Sequence, residues 1–169
     1  IMGTANTFQC LAEAFGICLP GSSNIPGWHA DKLAAARATG ERIVAMVREG
    51  LNARQMFTPA AFRNAVATAM SIGASTNTAL HLPAIAHAAE VPFTLAEFEA
   101  ADHIPTLLAV SPNGPYGIQD LWAAGGMPAV LQRIERFLDT SVMTVTGRPL
   151  AQTIAAATVR NATVIPVVE

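Results

Sequence analysis

The chain has 169 residues, 51% of them hydrophobic and 13% charged, with a formal net charge of −2. That length holds one domain with a sizeable core, and a charged share well below the roughly 25% usual for soluble domains points to apolar surface buried against other protein. No basic run interleaved with aromatics supports nucleic-acid binding, and no uninterrupted apolar stretch reaches the roughly 18–20 residues needed to span a bilayer.

The opening Ile1-Met2-Gly3-Thr4 is neither an initiator methionine nor a charged lead-in to a signal core, so the chain reads as part of something longer. Thr4 to Leu19 is predicted helical, because Phe8, Leu11, Ala12, Phe15 and Leu19 recur on one side and should face the core. Cys10 and Cys18 form no CxxC pattern and read as two buried free thiols, which suits a reducing cytoplasm. Leu19-Pro20-Gly21 ends the helix, and Ser22 to Trp28 is a turn-rich loop whose serines could cradle an anion.

Asp31 to Glu49 reads as an amphipathic scaffold helix with Leu33, Ala36, Ile43, Val44 and Val47 inward, closed by Gly50. Thr58-Pro59 opens a further helix that buries Phe62, Ala65, Val66, Ala69 and Met70 and runs into a turn at Gly73. That turn delivers Ser75 to a helix-capping position, followed by a buried helix through Ala89 with Ala79, Leu80, Leu82, Pro83, Ile85 and Ala86. A helix N-terminus carries unpaired N–H groups and partial positive charge, so Ser75, Thr76 and Asn77 could line a site for a carboxylate or phosphate as well as cap a helix.

Farther on, Thr94 to Glu97 has the capping-box pattern for a short helix through Ala101. Thr106 to Val110 reads as a buried strand, Ile118 to Ala124 and Pro128 to Leu138 as helices separated by Gly125-Gly126. Val142 to Thr146 is predicted as a β-branched strand ended by Gly147, Leu150 to Ala157 as a helix, and Val164 to Val168 as an edge strand or linker because of Pro166. The expected class is therefore α/β and helix-rich.

No GxGxxG, P-loop, HExxH, GxSxG or paired-cysteine zinc pattern occurs. His81 and His87 are six residues apart and point to different sides of one helix, so helical geometry alone cannot bring them to one metal. Each reads as a buried or interfacial histidine, and Glu97, Glu99 and Asp102 read as an exposed face.

The order of several segments is nonetheless distinctive: Met2-Gly3-Thr4-Ala5-Asn6-Thr7, then Leu19-Pro20-Gly21-Ser22-Ser23, then Gly73-Ala74-Ser75-Thr76-Asn77 with Leu80-His81-Leu82-Pro83-Ala84-Ile85-Ala86. Asp120-Leu121 with Ala124-Gly125-Gly126-Met127-Pro128-Ala129-Val130, and Thr144-Val145-Thr146-Gly147, complete the series. Together they resemble the dihydroxy-acid, sugar-acid and phosphogluconate dehydratases over almost the whole chain. Ala74 departs from the family's usual second glycine and narrows the backbone freedom of that turn.

The resemblance implies elimination of water from a 2,3-dihydroxy carboxylate to give a 2-keto acid, with an iron-sulfur cluster as Lewis acid and Mg2+ holding the substrate. It implies a cluster cysteine just before Ile1, a Cys-Asp-Lys segment farther upstream, and a serine base and glutamate ligand after Glu169. This segment then holds no catalytic residue and no metal ligand, and neither Cys10 nor Cys18 matches a cluster position. Gly3, Thr4 and Asn6 become cluster-adjacent candidates, and Ser75, Thr76 and Asn77 candidates for lining the substrate cavity. Residues 1–139 would be the C-terminal portion of a layered α/β domain, and 140–169 a linker and the start of a β-rich C-terminal domain. The expected partners are a small hydroxy acid, the remainder of the dehydratase chain and a second copy in a dimer or larger oligomer, with no nucleic acid and no membrane. Met2 to Ala5 and Leu19 to Pro26 look closer to the sugar-acid and phosphogluconate members, which favours an aldonic acid. The alternative is a non-catalytic anion-binding or assembly module that keeps the scaffold.

Overall fold

The computed structural model describes residues 1–168 and is helical throughout its regular parts. Helix α1 (Thr4–Ala14) lies antiparallel to α4 (Pro59–Ile72), with Phe15, just past the end of α1, against Phe62 near the start of α4. Ala61, Ala65 and Ala69 of α4 are buried, as are Cys10, Leu11 and Ala14 of α1. Phe15, Phe57, Phe62 and Phe93 form a chain of rings 4.9 to 6.0 Å apart, mostly edge-on or tilted as their quadrupoles prefer.

The start of α4 follows its sequence signal closely. Thr58 is the N-cap, its hydroxyl accepting from the Ala61 amide at 3.2 Å, and Pro59 occupies the first turn, where a missing N–H costs nothing. The buried side chain of Asn64 makes two reciprocal bonds with the backbone of Asp139 and so ties α4 to the distal third of the chain. Helices α7 (Ile118–Ala124) and α8 (Gly126–Arg133) meet at Gly125, and Met127, Val130, Leu131 and Ile134 complete the core. The second of these starts two residues before the expected Pro128 and gives way to a 3-10 turn at Glu135–Phe137. The first helix is also shorter than expected, ending at Ala14 rather than Leu19.

The expected strands are absent among the described residues. Thr106 to Val110 is extended and partly buried, but the amides of Leu107 and Leu108 both donate to the Ser71 carbonyl at the end of α4, leaving one isolated bridge between Val110 and Tyr116. Val142 to Thr146 folds back on itself: Leu150 donates to Val142 and Thr144 to Arg148, and the single bridge sets Met143 against Pro149. Proline has no N–H to extend that ladder. Val164 to Val168 likewise forms no strand, although Val164 and Ile165 are buried. Helix α9 (Leu150–Ile154) stops short of the expected Ala157. Glu169, the last residue of the expected C-terminal segment, lies outside the described residues.

Two other expectations are corrected. Thr94 and Glu97 form no capping box, since the short helix α6 (Ala96–Ala100) is preceded by Leu95 and Thr94 contributes only its carbonyl. A box does form at Asn52 and Gln55, ahead of α3 (Ala53–Met56).

The larger correction concerns α2 (Ala30–Glu49). Of its residues only Met46 is buried, while Leu33 is 79% exposed, Val47 76%, Ile43 54% and Val44 49%. The helix rests on the body through the opposite edge, where Arg42 donates to the Val145 carbonyl and forms a two-pronged pair with Glu49. That pairing holds the Glu49 carboxyl below its ordinary range.

Replacing Phe62 with Ala removes the ring on which Phe15, Phe57 and Phe93 converge, and is expected to cost about 3–5 kcal/mol. Chemical denaturation followed by circular dichroism measures it.

Candidate functional site

The antiparallel pair α1 and α4 brings together two stretches that lie about seventy residues apart. At the end of α4, Gly73 takes up φ 61°, and the amides of Gly73 and Ala74 donate to the carbonyls of Met70 and Ala69, a glycine-terminated helix end. A side chain at Gly73 would also collide with the Asn113 amide, which donates to the Gly73 carbonyl at 2.9 Å. The only described non-glycine residue with positive φ is Glu90, so Ala74 needs no glycine-like backbone.

Past this turn, helix α5 (Thr78–Ala88) begins beside the start of α1. Its N-cap is Asn77 rather than Ser75. The Ser75 hydroxyl accepts from the Asn77 amide two residues on at 3.3 Å, and its carbonyl accepts from both the amide and the hydroxyl of Thr78. The same Ser75 hydroxyl lies 3.0 Å from the Thr4 hydroxyl, which also accepts from the Asn77 side-chain amide at 2.8 Å. The Ser75 backbone amide donates to the Thr7 hydroxyl at 3.1 Å.

Of the expected site residues, the structure joins Thr4, Ser75 and Asn77 in one hydrogen-bonded cluster. Thr76 is exposed beside it and contributes its carbonyl to the Ala79 amide. Gly3 is the N-cap of α1, and Asn6 donates to the Ile1 carbonyl at 2.7 Å, so both shape the approach rather than join the cluster. Thr7 and Asn113 are additions that sequence reasoning missed. Thr7 could have been found from its position one turn after Thr4 on the same face of α1.

Two helix N-termini, neither with an acidic residue in its first turn, therefore converge on a patch of hydroxyls and one amide. Their partial positive charges add at that point and suit a carboxylate or phosphate. The patch opens onto an apolar groove of about 480 Å³ between α1 and α5, lined by Thr4, Ala5, Phe8, His81, Ala84 and Ile85. His81 meets the Phe8 ring edge-on at 5.4 Å. Helix α5 was expected to be buried along its apolar residues, yet only Thr78, Leu82 and Ala86 are, and Leu80 is 68% exposed. His81 and His87 are exposed too.

The loop after α1 cradles a carboxyl group belonging to the chain. The Glu13 carboxylate, almost fully buried, accepts from the amides of Gly21 at 2.8 Å and Ser23 at 3.0 Å. Burial raises its pKa, partly offset by those bonds. Cys10 is fully buried, with Asn24 donating to its sulfur at 3.3 Å, and burial pushes its thiol up to about 12. Cys18 is half-buried, and burial likewise pushes it up to about 12. Both are free thiols outside any group of ligating side chains. Among the described residues no group of three or more His, Cys, Asp or Glu could hold a metal ion. These residues therefore do not fit as ligands of a cluster or of Mg2+.

Fold and site define a helix-rich module with a hydrogen-bonded polar edge at two converging helix ends. The sequence model of the dihydroxy-acid/6-phosphogluconate dehydratase N-terminal family matches residues 1–153, and the chain belongs to that family. It is 45% identical to a dihydroxy-acid dehydratase of Methanoregula boonei over 96% of this chain and 30% of the relative. Identity to the dihydroxy-acid dehydratase of Caldanaerobacter subterraneus is 43%, over 99% of this chain and 31% of the relative. A third, from Methanospirillum hungatei, is 46% identical over 85% of this chain and 26% of the relative. The chain thus spans about a third of the length of these curated relatives. No helix among the described residues is long and apolar enough to cross a membrane.

The folded chain holds the Glu13 proton more tightly than the unfolded chain does. Its contribution to stability is complete below the ordinary value of 4.5 and is lost as pH rises through the raised one. Glu13→Gln has no such proton, so the melting temperature of the native protein is expected to fall relative to that variant as pH rises above 4.5. At low pH the variant should be the weaker by about 1 kcal/mol, because an amide cannot accept from both loop N–H groups. Parallel melting curves across the pH series would show that Glu13 does not titrate in this way.

Proposed function

We propose that this chain is the central part of an iron-sulfur-dependent dehydratase that removes water from a 2,3-dihydroxy carboxylic acid to give a 2-keto acid. The family membership supports the reaction class, and the Thr4, Ser75 and Asn77 cluster is the observation that carries the assignment of a site to this segment. Its part is to bind and orient: two hydroxyls and an amide at converging helix ends hold an anionic substrate group, with the apolar groove beside it receiving the rest of the molecule. The cluster and Mg2+ are assigned to other segments of the complete protein, because the described residues bring no three His, Cys, Asp or Glu side chains together. In this reading residues 1–139 close an α/β domain and 140–169 lead toward a β-rich one.

The relatives carry the name dihydroxy-acid dehydratase. That favours a simple dihydroxy acid over the aldonic acid suggested by the segments at Met2 and Leu19, and the apolar lining of the groove agrees with a substrate that has few hydroxyls. In the complete protein with its cluster intact, turnover of dihydroxyisovalerate is expected to exceed turnover of a panel of aldonates. The reverse preference would overturn the substrate reading, and turnover by the 169-residue chain alone would overturn the assignment of the chemistry to other segments.

Asn77→Ala in the complete protein removes a donor from an exposed position and leaves the core intact. Turnover is expected to fall by about tenfold or more, the loss of one positioning hydrogen bond of roughly 1.5 kcal/mol to a charged group. The melting temperature should stay within a few degrees of the native protein. A loss of stability without a loss of turnover would return the cluster to a purely structural role.

A further inference from the structure

The last carbonyls of α4 have no partner within their own helix and are taken up by a later segment of the chain. The Thr106 hydroxyl donates to the Met70 carbonyl at 3.2 Å, and the amides of Leu107 and Leu108 both donate to that of Ser71. Leu108 and Val110 then enter the core, and the chain closes into a loop over 110–116. The Ser111 amide donates to the Tyr116 carbonyl at 2.7 Å, and the Tyr116 amide to the Ala109 carbonyl at 3.2 Å. Gly114 lies so close beneath that a Cβ there would fall 2.4 Å from the Ala109 carbonyl oxygen. The loop is therefore tied both to the end of α4 and across its own neck.

From this anchored loop two bonds reach the stretches that build the candidate site, one to each. The Ser111 carbonyl accepts from the Met2 amide, two residues before Thr4. The Asn113 side-chain amide donates to the Gly73 carbonyl at 2.9 Å, two residues before Ser75. Since the Thr4 and Ser75 hydroxyls lie 3.0 Å apart, the loop closes a ring of contacts around that pair. Gly73 makes room for this: a Cβ on it would fall 2.4 Å from Asn113 Nδ2. Asn113 is itself exposed, so its bond is not part of the core, and what it fixes is the direction in which the chain leaves α4. One exposed hydrogen bond contributes little to stability, whereas groups that orient a substrate lose rate steeply when displaced.

We propose that Asn113 is a positioning residue for the substrate-binding edge: through the Gly73 carbonyl it sets the turn from which Ser75 and Asn77 meet Thr4. The inference rests on the reading of Thr4, Ser75 and Asn77 as part of the substrate site.

In the complete protein with its iron-sulfur cluster intact, Asn113→Ala is expected to lower turnover of dihydroxyisovalerate about fivefold, the loss of one neutral hydrogen bond, with the melting temperature within a few degrees of the native protein. Asn113→Asp keeps the shape but sets an acceptor against a carbonyl, and should lose at least as much. Because Asn113 acts through the turn, adding Asn113→Ala to Asn77→Ala is expected to cost about twofold or less. Hydrogen exchange read by mass spectrometry should quicken over 73–77 and stay unchanged in α4. Full multiplication of the two losses would overturn the proposal, as would native turnover in Asn113→Asp or unaltered exchange over 73–77. A loss of turnover in Asn77→Ala but not in Asn113→Ala would overturn the role of Asn113 alone, whereas native turnover in both would overturn the reading of the site on which it rests.

Discussion

The antiparallel packing of α1 on α4 is the constraint from which the rest of the structure follows. Phe15 sits against Phe62 at one end of the pair, and at the other Thr4 and Thr7 reach the turn that follows Ile72. Because both helices are rigid over more than two turns, that register alone decides which residue of α1 meets Ser75. The site is thus assembled by core packing, and its hydrogen bonds connect groups that the hydrophobic contacts have already brought within reach.

Much of this was legible in the sequence where one local signal had no competitor. Thr58-Pro59 marks the start of α4, Gly73 its end, and Gly125 the break between α7 and α8, each through backbone chemistry that tertiary context left unchanged. The motif order pointed to Thr4, Ser75 and Asn77 but not to their contact, since nothing local says that position 4 touches position 75. Strands were harder. Thr106 to Val110 and Val142 to Thr146 have strand composition, but a strand exists only where a neighbour completes its ladder, and here the helix end at Ser71 and a tight return through Pro149 take those backbone groups instead. Periodicity in α2 likewise picked out the apolar positions but set them inward, and Leu33, Ile43, Val44 and Val47 are exposed.

Glu13 illustrates a different limit. A glutamate on a helix otherwise read as apolar carries no warning that it will be buried, and a serine loop between glycines gives no indication of which acceptor it will hold. The two answer each other: the loop amides of Gly21 and Ser23 need an acceptor once they leave water, and the carboxylate needs donors. Asn24 extends the network to the Cys10 sulfur, so one buried acid organises the whole exit from α1. Gly16 completes this corner. At φ 78° its carbonyl accepts from the Val145 amide, and a side chain there would press on Thr144.

The low charge content acquires a physical location in this arrangement. Many of the apolar residues in excess of what the core consumes lie on α2 and α5, and these two faces differ in kind. The α2 stripe exposes Leu33, Ile43, Val44 and Val47 and is bordered by the Arg37–Glu41 pair. On the α5 face Leu80 stands 68% exposed one turn from Asn77, with His81 and His87 among alanines and Pro83. Its neighbour is the polar cluster, so protein laid over α5 would also exclude water from Thr4, Ser75 and Asn77. Lower local dielectric strengthens the hydrogen bonds among them. Any cover over α5 therefore also dries the candidate site, and the apolar helix and the neighbouring hydroxyls are coupled through the water they share.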